Sequence, residues 1–239
     1  MQFKHNLLTG VYLFCRKITS IMNTIRRMTS MLRNEYHGEG LNLADFSHDP
    51  VEQFGRWMED ALSMKVREPN AVHLATADAS GRPSGRIVLL RDFSLKGFTF
   101  FTSYGSRKGE EMKQNSHAAM TFFWSELYRQ VRLGGKVTKL PSEESDAYFR
   151  SRPRESQISA AASHQSRFLE SRELLEKAAA EVDERFRDQP VPRPENWGGY
   201  CLSPEYIEFW QGREHRLHDR LIYTRNSDGA GWTIRLLYP

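Results

Sequence analysis

Apolar residues recur at helical spacing from Pro50 to Met64, where Val51, Phe54, Trp57, Met58, Ala61 and Leu62 fall on one face behind an Asp49-Pro50 start. The pattern predicts one amphipathic helix. The period then shortens to two. Ala71–Ala77 reads as a strand, Asp78-Ala79-Ser80-Gly81 as a turn and Ile87–Leu90 as a second strand, so a hairpin opens the body. Gly97–Thr102 (GFTFFT) and Ala118–Trp124 (AAMTFFW) are β-rich runs, and Arg129–Leu140 alternates well enough to be another. Between two of these, Ser106-Arg107-Lys108-Gly109 begins a short helical stretch. Helical patterns return from Pro141 to about Arg152 and from Phe168 to Phe186, and Pro190, Pro192 and Pro194 form an extended connector. Strands are expected near Tyr200–Trp210, Arg216–Tyr223 and Trp232–Leu237. The sum is a single α+β domain whose strands form an antiparallel barrel or sandwich.

Charge changes the picture at one end. The chain has 239 residues, 34 bases, 30 acids and 12% aromatics, the composition of a globular protein with a sizeable core. Residues 1–33 hold Lys4, Arg16, Lys17, Arg26, Arg27 and Arg33 and no acid, so the rest of the chain sets 28 bases against 30 acids. The basic balance belongs to a leader, and nucleic-acid binding by the body loses its main support. We therefore expect a basic, disordered leader over residues 1–33 and one domain over residues 34–239. The leader is rich in Ser, Thr, Met and Arg, as transit peptides are. Its apolar run Leu7–Cys15 is too short to span a bilayer. Cys15 and Cys201 give neither a disulfide framework nor a metal-ligand spacing, and no metal site is expected. A cytoplasmic location is expected, with a mitochondrial one through residues 1–30 as the alternative.

Candidate chemistry concentrates in Glu208–Arg220, EFWQGREHRLHDR. On an extended strand Arg216, His218 and Arg220 would share one face, which invites an anion such as a phosphorylated ligand. Further polar clusters are Arg86 and Arg91 around Ile87–Leu90, Arg107-Lys108 after a Tyr-Gly-Ser turn, Tyr148, Arg152 and Ser156 in YFRSRPRES, and Gln165-Ser166. Guanidinium forks, hydroxyls and amides are the donors that hold phosphate. Nucleophile elbows, zincin motifs, Walker loops and dinucleotide fingerprints are all missing from the sequence. Such a donor set suits a cofactor that brings its own chemistry.

Taken in order, RIVLLR, FFTSYGSRKG, RQVRLGG, YFRSRPRESQI, SHQS, WGGY and EFWQGREHRLHDR resemble the pyridoxamine 5′-phosphate oxidase family over about Arg33 to Pro239. The resemblance implies an FMN-binding split β-barrel, antiparallel and Greek-key-like with flanking helices, assembled as a homodimer with flavin at the subunit interface. It implies FMN contacts from Arg86, Ile87, Val88, Leu89, Phe101, Thr102, Arg107, Lys108, Gln130, Gln165, Ser166, Trp210 and Arg220. Substrate contacts are implied for Arg91, Tyr148, Arg152, Ser156, Arg216, Leu217 and His218, with Arg33 to Tyr36 as a lid. Arg216 and His218 take the catalytic positions. The implied reaction oxidises pyridoxamine or pyridoxine 5′-phosphate to pyridoxal 5′-phosphate with dioxygen as acceptor. Another split-barrel flavin oxidoreductase and a non-catalytic pyridoxal-phosphate carrier are the alternatives. The chain departs from the family pattern in Arg91, where Lys is usual, in Ser159, and in its LLYP ending.

Overall fold

The computed structural model describes residues 21–32, 35–38 and 40–239, which fall into two units, Met1–Tyr36 and His37–Pro239. In the first unit, residues 21–31 form a helix (α1). The second unit holds α2 (Pro50–Ser63), α3 (Arg107–Gln114), α4 (Ser142–Ser151), α5 (Arg154–Ala162) and α6 (Arg172–Arg185). Its strands are β1 (Ala71–Ala77), β2 (Pro83–Leu89), β3 (Asp92–Ser94), β4 (Gly97–Ser103), β5 (His117–Trp124), β6 (Arg129–Lys139), β7 (Trp197–Gln211), β8 (Asp219–Arg225) and β9 (Trp232–Leu236).

Every strand pair is antiparallel, in the order β2-β1-β5-β6-β7-β4-β3, with β8 and β9 branching from β7. Among the described residues no ladder joins β2 to β3 or β9, so the barrel stays open, as a split barrel should. The fork lies on β7. Its first part pairs with β4, from Trp197↔Ser103 to Leu202↔Phe98, and its last part pairs with β8, from Tyr206↔Thr224 to Gln211↔Asp219. A register shift on β6 between Gly134 and Gly135 lets the long β6–β7 pair bend. Gly135 is required there, because a Cβ would stand 2.1 Å from the Ser203 carbonyl oxygen.

The alternation that predicted the strands is the alternation of burial. Along β5, Ala118, Met120, Phe122 and Trp124 point into the core, and Val131 and Leu133 of β6 do the same. The helix predicted over residues 50–64 closes this core. Its N-cap Asp49 accepts a 2.8 Å hydrogen bond from the Val51 N–H, with Pro50 in the first turn. Phe54 is fully buried and lies 4.9 Å from both Phe93 and Phe98 and 5.0 Å from Phe122, ring centre to ring centre. A smaller cluster of Phe149, Val191 and Trp197 packs under α4 to α6.

Helix α1 falls within the leader expected to be disordered, β3 and α5 are not among the expected elements, and two expected elements change their bounds. The strand expected over Arg216–Tyr223 begins only at Asp219, because Gln211 pairs with Asp219 and residues 212–218 must reverse the chain. Glu214–Arg216 form a 3₁₀ turn in which His215 (φ 54°) and Arg216 (φ 60°) are left-handed. The helical pattern after Phe168 starts at Arg172.

Candidate functional site

The N-terminus of α3 carries a buried and tightly held cation. Ser106 caps the helix, its hydroxyl accepting from the Gly109 N–H and donating to the Ser103 carbonyl at 2.7 Å. Gly109 leaves room for that turn, since a Cβ would come 2.3 Å from the Tyr104 carbonyl oxygen. Lys108 is buried, and its Nζ donates to Gln165 Oε1 at 2.8 Å, Thr102 Oγ1 at 3.2 Å and Ser106 Oγ at 3.2 Å. Thr102 also donates to Gln165 Oε1 at 2.9 Å. Burial, and then the charge of Arg86, push the Lys108 ammonium down to about 8, against the pull of Glu111. A buried ammonium surrounded by neutral oxygens is electrostatically incomplete, and an anion at a helix N-terminus would complete it. The phosphate of the flavin that the resemblance implies is an anion that would suit this donor set. Ser166, the next residue after Gln165, is left-handed (φ 72°) and lines a cleft of about 450 Å³ with Arg107 and Arg167.

Arg86 reaches the same cluster from β2. Its Nη1 donates to Thr76 Oγ1 at 2.5 Å and its Nη2 lies 3.3 Å from Glu111 Oε2. Ile87 on the same strand is 63% exposed, while Val88 packs against the core and Leu89 is half-buried. Gln130, Trp210 and Arg220 stand in one lateral row across β6, β7 and β8.

The residues expected to meet the substrate phosphate also converge. Tyr148 stacks on Phe101, with ring centres 3.8 Å apart and planes at 18°, and lies parallel to Trp197 at 6.2 Å. The Arg152 guanidinium sits 4.7 Å over the Trp197 ring, and that of Arg91 5.9 Å over Tyr148. Arg152 Nη1 is buried, and among the described residues it has no acceptor. Burial draws the Arg152 pKa down, Tyr148 opposes this, and the Arg91 charge lowers it further. Two cations that repel across an aromatic wall, one with an orphaned donor, would both be satisfied by an anion. Ser156 is half-buried in the first turn of α5. Trp197 escaped assignment from sequence, although its block WGGY was one of those that carried the resemblance.

The period-two stripe is corrected here. Arg216 lies in the turn and His218 precedes the strand; only Arg220 is on β8. His218 and Arg220 still border one cleft, and the Arg216 charge reaches it only through His218. His218 rests on Trp210 at 4.7 Å, and its Nδ1 accepts the Arg213 N–H at 3.1 Å. Burial, followed by the Arg216 charge, lowers the His218 pKa, while Asp219 raises it. Arg220 donates from Nε to buried Glu208 at 2.9 Å and from Nη1 to the Tyr238 carbonyl at 2.8 Å. A cleft of about 600 Å³ lies against Arg213, Leu217, His218 and Arg220. Arg33 lies outside the described residues, and Tyr36 belongs to the first unit.

The site therefore comes in two parts. Thr102 and Lys108 lie by the Trp197 end of β7, where Gly198 pairs with Thr102, and Arg220 pairs with Trp210 near the other end. At about 3.3 Å per residue, the contour of the bent β7 between Trp197 and Trp210 is roughly 40 Å long.

Residues 58–186 match the profile of the family described as Pyridoxamine 5′-phosphate oxidase, and residues 197–239 match the Pyridoxine 5′-phosphate oxidase C-terminal dimerisation region. A relative from Rubrobacter xylanophilus, named pyridoxine/pyridoxamine 5′-phosphate oxidase, is 53% identical over 214 residues, which are 90% of this chain and 98% of that protein. The chain belongs to the pyridoxamine 5′-phosphate oxidase family. A second relative of the same name, from Paraburkholderia phymatum, is 53% identical over 208 residues, 87% of this chain and 97% of its own. Among solved structures, PhzG from Burkholderia lata 383, in complex with tetrahydrophenazine-1-carboxylic acid, is 34% identical with a TM-score of 0.79, covering 84% of this chain and 99% of that one. An FMN-binding protein from Nostoc punctiforme related to pyridoxamine 5′-phosphate oxidase shares the fold at 16% identity and a TM-score of 0.65, over 81% of this chain and 100% of its own. Within the oxidase family's frame, both parts of the site fall inside the matched regions. The segment matched to the dimerisation region holds β7, β8 and β9, hence Trp210, Arg216, His218 and Arg220.

Proposed function

We propose that this protein is an FMN-dependent oxidase that converts pyridoxamine 5′-phosphate and pyridoxine 5′-phosphate to pyridoxal 5′-phosphate. The observation that carries the reading is the orphaned, buried Arg152 Nη1 beside Arg91 on the Phe101–Tyr148–Trp197 wall. A substrate phosphate satisfies that donor and relieves the repulsion between the cations. FMN, when bound, would supply the acceptor for a hydride equivalent and pass the electrons to dioxygen as hydrogen peroxide; with the amine substrate, water then supplies the aldehyde oxygen as ammonia leaves. The chain supplies grip and orientation. Lys108, Arg107 and Ser166 hold the flavin phosphate, while Arg86 adds charge and Gln165 and Thr102 keep the Lys108 ammonium in place. Trp210, Gln130 and Arg220 serve the flavin from the β6–β8 row. Arg91, Tyr148, Arg152 and Ser156 clamp the substrate phosphate, and Arg216, Leu217 and His218 orient the pyridine ring. Because Nδ1 of His218 accepts an N–H, a neutral His218 carries its proton on Nε2.

The two parts of the site meet when two chains pair, so the working form is a homodimer. Purified protein should be yellow, dimeric by light scattering, and should form pyridoxal 5′-phosphate and peroxide from pyridoxamine 5′-phosphate in air. A colourless protein, inactive after addition of FMN, would overturn the reading. A carrier would bind the product without consuming oxygen. An oxidase for a non-phosphorylated acid, such as the ligand in the PhzG complex, would turn over without needing the phosphate clamp. We place the protein in the cytoplasm; a fusion imaged with and without residues 1–30 tests this, and exclusively mitochondrial signal would refute it.

A further inference from the structure

Glu111 has no part in the roles above, yet it lies at the centre of the cationic cluster. It sits one helical turn beyond Arg107 on α3 and is 5% exposed. Its Oε2 accepts from Thr76 at 2.5 Å, Ser84 at 2.6 Å and Arg86 Nη2 at 3.3 Å, and its Oε1 accepts from Arg107 Nε at 2.9 Å. A carboxylate this enclosed is costly unless its lone pairs are met, and here β1, β2 and α3 all contribute donors. Burial alone would raise it, but hydrogen bonds from Ser84, Thr76 and Arg107 with the Arg86 charge bring it down to about 2. It is an anion throughout the neutral range.

The two arginines that it holds are used differently. Arg86 spends its donors inside the chain, on the Leu74 carbonyl, Thr76, Ser84 and Glu111. Arg107 commits only Nε; its side chain is 67% exposed, and among the described residues neither Nη group has an acceptor. A planar guanidinium fixed through Nε can turn only as its stem allows, so its two Nη groups are aimed as a fork. Around Lys108 the charged groups are Arg86 from β2, which disfavours the ammonium, and Glu111 from α3, which favours it; Thr102 of β4 and Gln165 are neutral.

We propose that Glu111 is a positioning residue of the flavin-phosphate site, aiming the Arg107 fork and offsetting the Arg86 charge so that Arg107 and Lys108 receive the same phosphate. The proposal rests on the FMN reading above. It is tested by titrating FMN and riboflavin into full-length, flavin-stripped wild-type, Glu111→Gln, Arg107→Gln and doubly substituted protein, with flavin fluorescence as readout across neutral to alkaline pH. Removing the carboxylate charge destabilises the Lys108 ammonium, so the alkaline fall in FMN affinity should begin at lower pH in Glu111→Gln, while riboflavin shows no such shift. Arg107→Gln should cost FMN affinity less in the Glu111→Gln background than in wild type, by a factor of about three or more. An unmoved onset, or additive losses, overturns the proposal. Should Glu111→Gln fail to fold, Glu111→Asp keeps the charge but withdraws it from Arg107; it must lose the coupling with an unmoved onset, and retained coupling overturns the proposal. Wild-type protein that binds riboflavin as tightly as FMN refutes the phosphate-site reading itself.

Discussion

Lys108 carries the clearest pH signature. Its folded-state value of about 8 lies below the ordinary 10.5, so the unfolded chain binds more protons between those limits. Stability of the flavin-free protein therefore rises with pH through that window, as that penalty is removed, and urea denaturation at a series of pH values measures it. FMN affinity should move in the opposite direction, falling above pH 8 as the ammonium is lost. A flavin titration showing constant affinity through this range would mean that Lys108 does not meet the phosphate. Arg152→Gln removes a donor that has no acceptor within the described chain. We expect KM for pyridoxamine 5′-phosphate to rise about 10- to 100-fold, the size of a charge-assisted hydrogen bond, with a smaller effect on kcat. Steady-state kinetics separate the two, and a loss confined to kcat would count against the clamp. Lys108 and Arg152 were visible in the sequence as cations beside hydroxyls and amides. Trp197 and Glu111 were not, because their significance comes from what they touch across elements: the Arg152 guanidinium in one case, Arg86 and Arg107 in the other.

At the scale of elements, helix α2 and the two-residue alternation of β1, β5 and β6 were legible because each has one buried face. The hairpin loop was not. Charges at every second position of residues 216–220 satisfy a strand pattern, but strand pairing of Gln211 with Asp219 requires a loop between them. Strand β3 has three residues, too few for a period, and α5 begins at Arg154 behind an N-cap Pro153, directly after the point near Arg152 where the preceding helical pattern ends. The core contact that fixes α2 on the sheet can be tested directly. Phe54→Ala opens a cavity against Phe93, Phe98 and Phe122 and should destabilise the protein by about 3–5 kcal/mol, read from denaturant unfolding. A change below about 1 kcal/mol would mean that the aromatic cluster repacks, as a soft core would.

At the largest scale, the decisive fact is that the two sets of site residues flank opposite ends of β7, with Lys108 reaching the Trp197 end through Thr102 and Arg220 pairing with Trp210 near the other. One chain would have to fold back on itself to join them, whereas two antiparallel copies would present each set to the other's complement. That difference predicts a complementation result. Lys108→Ala and Arg220→Ala should each abolish most FMN binding when every chain carries the same substitution. In a mixed dimer, one site collects both substitutions and the other collects neither. Random pairing makes half of the dimers mixed, so co-expressed variants should recover about a quarter of the wild-type flavin sites. Flavin absorbance per chain after co-purification measures this. If each site were built from a single chain, every site in the mixture would carry one substitution and nothing would be recovered. The experiment thus asks whether a split barrel whose site residues are divided along one strand needs a second copy to hold its cofactor.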